Sequence, residues 1–442
     1  MSKCRTYLCK AVLKEHFGDL AEKICLYMIN KGCCHLRQIA SETELPLDKV
    51  RKVLTALIQQ NVIKFEKTKR GVVEYFVDID VLLWRHRIPK FIHCAKSLYG
   101  DAAELLVEDI VYHGQIMMSK AVDNVTSKLN EALENAGHQK IGSSIVHDKF
   151  SLLAGSHFIR QCINGMETSE EELDERDQST LYRVPPLHST GKRKRSIDDS
   201  EQPAKRQKTD APGDDGIYWK INSRRFHQYF RDQMFIKAIS NRIDKRASTI
   251  LQTMLRLSEV KTDDLCFTTQ PLSFTEIFQA IPLDAGITRN LCEQYLTLMV
   301  DDSTNLVSKI GESGGGMFVV NIMKGLTSLC KAHLESVVQE RFGSKSLRIF
   351  KVLLLKEHLE QKQIEEMAMI PSKEAKELLY NMFAQKFVSV TEISKTADHA
   401  PARTFYFFRV HMDQLARNIL ENCYKALANA MVKREAETIE HQ

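Results

Sequence analysis

The stretch from Leu36 to Asp78 constrains the fold more than any other part of the sequence. It starts with a short helical pattern, LRQIASE, and Pro46 then opens a second helix, LDKVRKVLTALIQQN, because a proline in the first turn of a helix loses no needed hydrogen bond. Two runs of β-branched and aromatic residues follow, VIKFE and VVEYFV, with a turn at Gly71 between them. Helix, turn, helix and β-hairpin in this order predict a winged helix, whose second helix can enter a DNA major groove and whose wing can reach the phosphate backbone.

The composition is typical of a soluble globular protein. At 442 residues the chain is long enough for several domains, on a prior of roughly 100–200 residues each. The net charge of +5 favours an acidic partner only weakly, so local patches decide any argument about nucleic acid. The 11 cysteines show no disulfide-like rhythm, no N-terminal segment resembles a signal peptide, and no uncharged apolar run is long enough to cross a bilayer. These features predict a soluble intracellular protein with no membrane partner.

The order of elements in the first stretch recurs along the chain. The recurrence is clearest over residues 346–410, from SLRIFKVLLLKEHL to RTFYFFRV, where three helical patterns precede two strands. Arg5–Lys31 is predicted to be one amphipathic helix, IYWKIN a strand of the third unit, and Ser223–Leu257 a long helix after it. The predicted fold class is mainly α with small β wings: tandem winged-helix domains plus a C-terminal amphipathic or coiled-coil helix. The predicted ranges are winged helices at 1–98, 99–165, 217–322 and 323–410, a disordered acidic and basic linker at 166–216, and the C-terminal helix at 411–442.

Two local patterns resemble known functional sites, a phosphate loop and a zinc site. Neither meets the residue requirements of the site it resembles. Gly311 and Gly314–Gly316 resemble a phosphate loop, but a strand follows them and no Lys-Ser/Thr pair closes the loop, so a flexible wing turn is the better interpretation. Cys33, Cys34 and His35 are too crowded to share a zinc ion and lack a second pair at finger spacing. We therefore predict no catalytic residues, no metal site and no cofactor.

Basic residues on the first winged helix are candidates for DNA binding. They lie at the start of its second helix and along its wing. Cations in these positions can bind DNA phosphates and release counterions, and such contacts do not depend on the base sequence. The alternative is an ordinary solvated face. The candidate residues are Lys49, Arg51, Lys52, Lys64, Lys67, Lys69 and Arg70.

The predicted linker contains two basic blocks, which predict a nuclear import signal and hence a nuclear protein. The alternative is a linker kept soluble by its charge. The import candidates are Lys192, Arg193, Lys194, Arg195, Lys205, Arg206 and Lys208.

Five longer motifs are similar to one family. They are KRGVVEY at 69–75, SGGGMFVVNI at 313–322, LESVVQERFGSKS at 334–346, EQKQIEEMAMIPSKEAKELLY at 360–380 and KTADHAPARTFYFFRV at 395–410. Together they resemble the family of winged-helix subunits known as C-three, which belongs to the initiation trimer of RNA polymerase III and is itself similar to the large subunit of general transcription factor IIE. Family members continue into a long coiled-coil hairpin, and Gln442 follows what resembles its first arm.

The resemblance implies four tandem extended winged helices and a polymerase subunit without the active site. It also implies a trimer with two smaller subunits, docking on the polymerase clamp, and a role in promoter recognition and opening. Three hypotheses stay open on the sequence. The chain is a non-catalytic initiation subunit that contacts single- or double-stranded promoter DNA, a purely protein-docking scaffold, or a nucleic-acid-processing enzyme.

Overall fold

The computed structural model describes residues 2–68, 71–135, 137, 139–162, 180–185, 214, 216–262, 266–394 and 404–441. The described residues form four three-stranded antiparallel sheets, each accompanied by helices. The chain divides into two compact units, Thr6–Phe230 and Arg231–Gln442, and Ser2–Arg5 belongs to the second. The wing cations Lys69 and Arg70 and the import candidates between Lys192 and Lys208 lie outside the described residues.

The first module confirms the helix–turn–helix–hairpin pattern predicted from its sequence. Val50, Leu54 and Leu57 of its last helix are buried, and the sheet order is β1-β3-β2, with Ile63 opposite Val77. Its elements are α1 (Lys3–Phe17), α2 (Asp19–Lys31), β1 (Cys34–His35), α3 (Leu36–Thr43), α4 (Leu47–Gln59), β2 (Ile63–Lys67) and β3 (Val73–Val77).

The prediction of one helix over Arg5–Lys31 is wrong, because Gly18 breaks it. Gly18 has φ 81° and ψ 178°, a conformation in which the helix cannot continue and which disfavours residues with a Cβ. Equivalent breaks occur at Gly100, which separates α6 (Ile88–Tyr99) from α7 (Asp101–His113), and at Gly343 within α14 (Ile322–Lys356). In three of the four modules, a glycine with a positive φ therefore separates an extra N-terminal helix from the next one.

The second module closes with a strand that the sequence analysis placed in the third module. Tyr218–Ile221 pairs with both other strands of the second sheet, so that prediction is corrected. Buried Asp214 joins the same module, since its carboxylate accepts a hydrogen bond from Ser119 N at 2.7 Å. The remaining elements are α5 (Ile79–Trp84), β4 (Ile116–Met117), α8 (Met118–Asn135), α9 (Ser143–Gly155), β5 (Ile159–Gln161) and β6 (Tyr218–Ile221).

The third module begins with two helices where the sequence predicted one over Ser223–Leu257. Asp244 breaks the run in an extended conformation, and its carboxylate accepts a hydrogen bond from Ala247 N at 2.7 Å. Ser273 precedes Glu276 by three residues, a spacing that predicts a capping box, and the structure confirms it. Gly314–Gly316 lie in the wing turn. The elements are α10 (Ser223–Arg242), α11 (Lys245–Ser258), β7 (Leu272–Ser273), α12 (Phe274–Ala280), α13 (Arg289–Asp301), β8 (Val307–Gly311) and β9 (Met317–Val320).

The fourth module repeats the order of the first and leads into the last helix. That helix is continuous, as predicted. Apolar residues at helical spacing predict one apolar stripe along it, formed by Leu415, Ile419, Cys423, Leu427 and Met431. This prediction is only partly correct, because Leu415 and Met431 are buried whereas Cys423 and Leu427 are exposed. The elements after Gly343 are β10 (Leu359–Glu360), α15 (Gln361–Ala368), α16 (Ser372–Ala384), β11 (Ser389–Ser394), β12 (Thr404–Arg409) and α17 (Met412–Glu440).

A backbone feature recurs at one point of every module. In each module, a residue between the third helix of the winged-helix core and the strand that follows has a positive φ, although it is never glycine: Asn61 (57°), His157 (64°), Asn305 (48°) and Lys386 (61°). A non-glycine residue adopts this conformation only where the surrounding structure requires it. Its recurrence identifies the modules as copies of one unit.

Two further findings concern the cysteines and the described helices. All 11 cysteines are free thiols. Among the helices that the structure describes, none combines the length and the apolar character needed to cross a membrane.

Replacing Gly114 by alanine is expected to destabilise the first unit by more than about 2 kcal/mol, since a positive φ alone costs a residue with a Cβ about 1–2 kcal/mol. Gly114 has φ 74°, and an added Cβ would lie 2.2 Å from Gln59 O. Urea unfolding followed by tryptophan fluorescence measures this, because both tryptophans, Trp84 and Trp219, belong to the first unit.

The matched control is Gly155→Ala. An added Cβ at Gly155 meets no atom within 4 Å, and Gly155 ends α9. This change is expected to leave the free energy of unfolding unchanged or to raise it by up to about 1 kcal/mol. Equal effects of the two substitutions would contradict the close approach at Gly114.

Candidate nucleic-acid interface

The recognition helix is the third helix of each winged-helix core, and in the first module it is α4. Pro46 precedes it with φ −56° and ψ 138°, so the chain enters the helix without a lost hydrogen bond. Its apolar face packs into the module, which leaves Lys49, Arg51 and Lys52 exposed. Arg51 Nη1 lies 3.8 Å from Asp48 Oδ1, a solvent-exposed contact that contributes little energy. The helix thus presents three cations to the outside.

The recognition helices of the other modules differ from α4 in charge. Whereas α4 carries three Lys or Arg residues and a single carboxylate, α9 and α16 carry equal numbers of each sign, and α13 has more carboxylates than cations. The exposed face of α16 instead includes Tyr380 and Phe383, which are 52% and 45% exposed. Among these four described helices, α4 has the surface best suited to phosphates.

The structure separates the predicted wing residues into two groups. Lys67 is exposed at the end of β2, beside the wing turn. Lys64 is half-buried, and its Nζ lies 3.2 Å from Asp78 Oδ2. Because side chains alternate along a strand, Lys64 and Lys67 point to opposite faces. Lys67 is therefore an exposed cation on the face of β2 opposite Lys64, and Lys64 lines a different surface.

That surface is a cleft between the first and second modules, which we call the intermodule cleft. Its volume is about 180 Å³, and Trp84, Ile88 and Phe91 are among its apolar lining residues. The cations that line it are Lys64, Arg85, Arg160, Lys220 and Arg224. Sequence reasoning missed four of these five, because they come from segments far apart in the chain and no local spacing connects them.

Polar contacts between the two modules fix the geometry of the cleft. Gln60 Nε2 donates to Tyr112 O at 2.8 Å, and Gln115 Nε2 donates to Asn61 Oδ1 at 2.8 Å. Arg85 Nη1 donates to Gln60 Oε1 at 3.3 Å. These bonds join the residues just after α4 to the end of α7, to the turn after α7 and to Arg85, so the cleft has a defined shape.

Burial affects two titratable side chains in this region. The Arg85 guanidinium lies over the Phe17 ring, 4.6 Å from its centroid, and burial lowers the pKa of Arg85. His227 packs edge-on against Trp84 with ring centroids 4.7 Å apart, and burial, assisted by the charge of Arg87, lowers the pKa of His227 from 6.5 to about 4. His227 is therefore a neutral imidazole at pH 7.

The predicted absence of a metal site concerns the arrangement of His, Cys, Asp and Glu side chains. Within them, no group of three or more His, Cys, Asp or Glu side chains has an arrangement that could hold a metal ion. Cys33 is exposed and Cys34 is buried, and burial raises the pKa of the Cys34 thiol.

Three family models match successive parts of the chain. Residues 7–68 match the helix-turn-helix domain of RNA polymerase III subunit RPC82, and residues 164–329 match RNA polymerase III subunit RPC82. Residues 334–410 match the C-terminal winged-helix domain of POLR3C.

Curated proteins named DNA-directed RNA polymerase III subunit RPC3 are similar over nearly the whole chain. The human protein is 43% identical over 463 residues, which cover 100% of this chain and 86% of the human one. The zebrafish protein (Danio rerio) is 43% identical over 458 residues, covering 98% and 85%. The chain belongs to the RPC3 family of RNA polymerase III subunits. A more distant RPC3 from Dictyostelium discoideum is 27% identical over 51% of this chain and 36% of its own length.

RPC3 membership confirms the resemblance predicted from the five motifs, and the winged-helix domains of the family models agree with the fold observed here. The chain is accordingly a component of the RNA polymerase III transcription machinery, and other polymerase subunits are its partners.

Lowering the pH from 7 to 5 is expected to destabilise the first unit of this RPC3-family chain. Between pH 6.5 and 4 the unfolded chain binds protons that buried His227 does not, so the free energy of unfolding falls as the pH falls. His157, whose pKa burial and the charge of Arg225 lower to about 4, acts in the same direction. Urea midpoints by tryptophan fluorescence at several pH values measure the effect.

His227→Phe isolates the contribution of His227, because it keeps an aromatic ring against Trp84 and removes the titration. The pH dependence is expected to become shallower in this variant. The matched control His93→Gln replaces an exposed histidine on α6 and is expected to keep the full dependence. If the free energy of unfolding of the His227→Phe protein depends on pH as strongly as that of the unchanged protein, the buried imidazole is not the cause of the pH dependence.

Proposed function

We propose that this RPC3-family chain is a non-catalytic subunit of RNA polymerase III that acts in transcription initiation. In this proposal it forms a heterotrimeric subcomplex with two smaller subunits on the polymerase clamp, contacts promoter DNA and general factors, and assists promoter opening. The observation that carries the DNA contact is the exposed cationic face of α4, formed by Lys49, Arg51 and Lys52.

The chemistry of α4 suits a phosphate backbone better than a base-specific contact. Lysine and arginine side chains neutralise phosphates and release condensed counterions, which gives affinity without sequence information. Lys67 extends the cationic surface to the wing. A contact of this kind fits a factor that holds duplex or melted DNA at many promoters.

The fourth module supports the part of the proposal that concerns protein partners. Its recognition helix exposes Tyr380 and Phe383, and Met369, in the turn before that helix, is 84% exposed. Large apolar side chains grouped on a surface mark protein–protein contact sites more often than nucleic-acid sites. This observation also favours the second candidate function, a scaffold of protein-docking winged helices without direct DNA contact.

Neutralising the cations of α4 tests the DNA contact and separates the two candidates. The variant Lys49→Gln/Arg51→Gln/Lys52→Gln is expected to weaken binding of duplex and single-stranded DNA alike, because the lost contacts carry no sequence information. For duplex DNA, the slope of log K against log salt is expected to fall by roughly 0.9 for each phosphate contact removed. Fluorescence anisotropy with labelled oligonucleotides across a salt series measures both quantities.

The control Lys373→Gln/Lys376→Gln removes cations from the equivalent helix of the fourth module, where Glu374 and Glu377 alternate with them. It is expected to leave DNA affinity within about twofold of the unchanged protein, because this helix has no excess of positive charge. If the α4 variant binds DNA as the unchanged protein does while both still co-purify with polymerase subunits, the scaffold function replaces the proposed one. Turnover of a nucleotide or nucleic acid by the purified chain would instead contradict the non-catalytic assignment.

We extend the proposal to nuclear import through the two basic blocks of the linker. Replacing Lys192, Arg193, Lys194 and Arg195 by glutamine is expected to lower the nuclear fraction of a fluorescently tagged chain, because import receptors read clustered positive charge. Thermal unfolding of the variant is expected to be unchanged. A control with the α4 cations replaced should retain its nuclear fraction, and equal localisation of all three proteins would reject these blocks as the signal.

A further inference from the structure

Part of the predicted linker packs against the second module. Residues 180–185, which we call the docked segment, begin with a turn in which Arg183 N donates to Thr180 O at 3.2 Å. Gln161 N, at the end of β5, donates to Leu181 O at 2.9 Å, and Gln161 Nε2 donates to Arg183 O at 2.8 Å. One residue of β5 therefore binds two backbone carbonyls of the docked segment.

The side chains of the docked segment also contact the second module. The Tyr182 ring stacks on the His157 ring, with centroids 3.6 Å apart and planes within 11°. Burial lowers the pKa of His157 to about 4, so both rings are neutral at pH 7. Val184 packs against the hydrophobic core, and Pro185 O lies 3.5 Å from His147 Nε2. The docked segment thus meets the module through hydrogen bonds, a ring stack and an apolar contact.

The docked segment covers the outer side of an edge strand. In the sheet order β4-β6-β5, β5 lies at the edge. Cys162 N donates to Tyr218 O of β6 at 2.7 Å. Because successive N–H groups of a strand point to opposite sides, Gln161 N points away from β6. Such an edge presents backbone groups that another peptide can pair with, and Leu181 O does so here.

The winged-helix unit forms without such a segment in the other modules. The strands equivalent to β5 are β2, β8 and β11, and each leads into the middle strand of its sheet through a short connection. These connections are residues 68–72, 312–316 and 395–403. The docked segment is therefore an addition to the second module and not one of the elements that define its fold.

We infer that the outer edge of β5, together with His157 and His147, is a docking site for a short peptide, and that residues 180–185 of this chain occupy it as a separable ligand. The site fits a peptide with two backbone carbonyls two residues apart and an aromatic side chain between them. A small apolar residue and a proline follow in the matching peptide. This docking site lies outside the DNA contact proposed for α4 and does not depend on it.

Connection to the same chain allows a weak site to stay occupied. The docked segment begins at Thr180, and β5 ends at Gln161. A short tether holds a peptide near its site at an effective concentration of about 1 mM. A dissociation constant of about 0.1 mM for the free peptide then keeps the site filled roughly nine-tenths of the time. The docked segment can therefore be bound in the chain and still leave the site without unfolding of the module.

A peptide added to the full-length chain tests the docking site. The empty-site variant Leu181→Gly/Tyr182→Ser/Val184→Ser removes the contacts of the docked segment and keeps the length of the chain. A fluorescein-labelled peptide of residues 178–187 is titrated against it, and binding is followed by fluorescence anisotropy. The peptide is expected to bind the empty-site variant roughly tenfold more tightly than the unchanged chain, because the chain's own segment competes at about 1 mM.

Two matched controls identify the contacts that hold the peptide. A peptide with Tyr182→Ser is expected to bind at least about tenfold more weakly, since it lacks the ring that stacks on His157. In the empty-site variant, His157→Asn is expected to weaken the unaltered peptide similarly, because asparagine tolerates the φ of 64° and lacks the ring. The exposed His93→Gln should leave peptide binding unchanged.

Hydrogen exchange in the unchanged chain provides a measurement that needs no variant. Gln161 N is expected to exchange faster than Cys162 N, because departure of the docked segment exposes only the first of these amides. Equal protection of the two amides would show that the segment opens only with the sheet, and would overturn the inference. Peptide binding that is equally tight to the unchanged chain and the empty-site variant, or absent from both, would also overturn it.

Discussion

Burial of one apolar face of each recognition helix against its own module determines which residues the helix leaves exposed. In α4 the buried residues Val50, Leu54 and Leu57 fix the rotation of the helix, and the neighbouring cations Lys49, Arg51 and Lys52 lie outside. The same burial in α16, through Ala375, Leu379 and Met382, leaves aromatic side chains exposed instead. In the proposed function, one fold presents a phosphate-binding face in one copy and a protein-binding face in another, because the fold alone does not decide between them.

The second module shows how the same fold accommodates a long insertion. Its sheet is completed by β6, which returns from the far side of the linker to pair with β4 and β5. This return has two consequences. It places fully buried Trp219 in the core of the module, and it brings Lys220 opposite Arg160 at the edge of the intermodule cleft. The cleft thus depends on a pairing between segments far apart in sequence.

Local patterns predicted much of the architecture, because helix starts, apolar periodicity and wing strands are encoded by neighbouring residues. The helices and hairpin after Leu36, the capping box of Ser273 and the exposed cations of α4 all follow from such patterns. The break at Gly18 was missed, since a glycine within an amphipathic pattern does not reveal the sign of its φ. The position of β6 was missed because its pairing with β4 and β5 across the linker depends on long-range contacts that neighbouring residues do not encode. For the same reason the cleft cations could not be grouped from the sequence.

The central claim is that, in the proposed function, the first winged helix binds DNA and the fourth winged helix binds other polymerase subunits. Photocrosslinking in an assembled polymerase–promoter complex tests it most directly, with a photoreactive residue at the position of Thr55, exposed on α4, or of Tyr380, exposed on α16. Neither substitution removes a cation, so the charges of both helices stay as they are. The account predicts crosslinks from position 55 to DNA and from position 380 to other polymerase subunits. Crosslinks from position 55 to protein alone, with none to DNA, would contradict it.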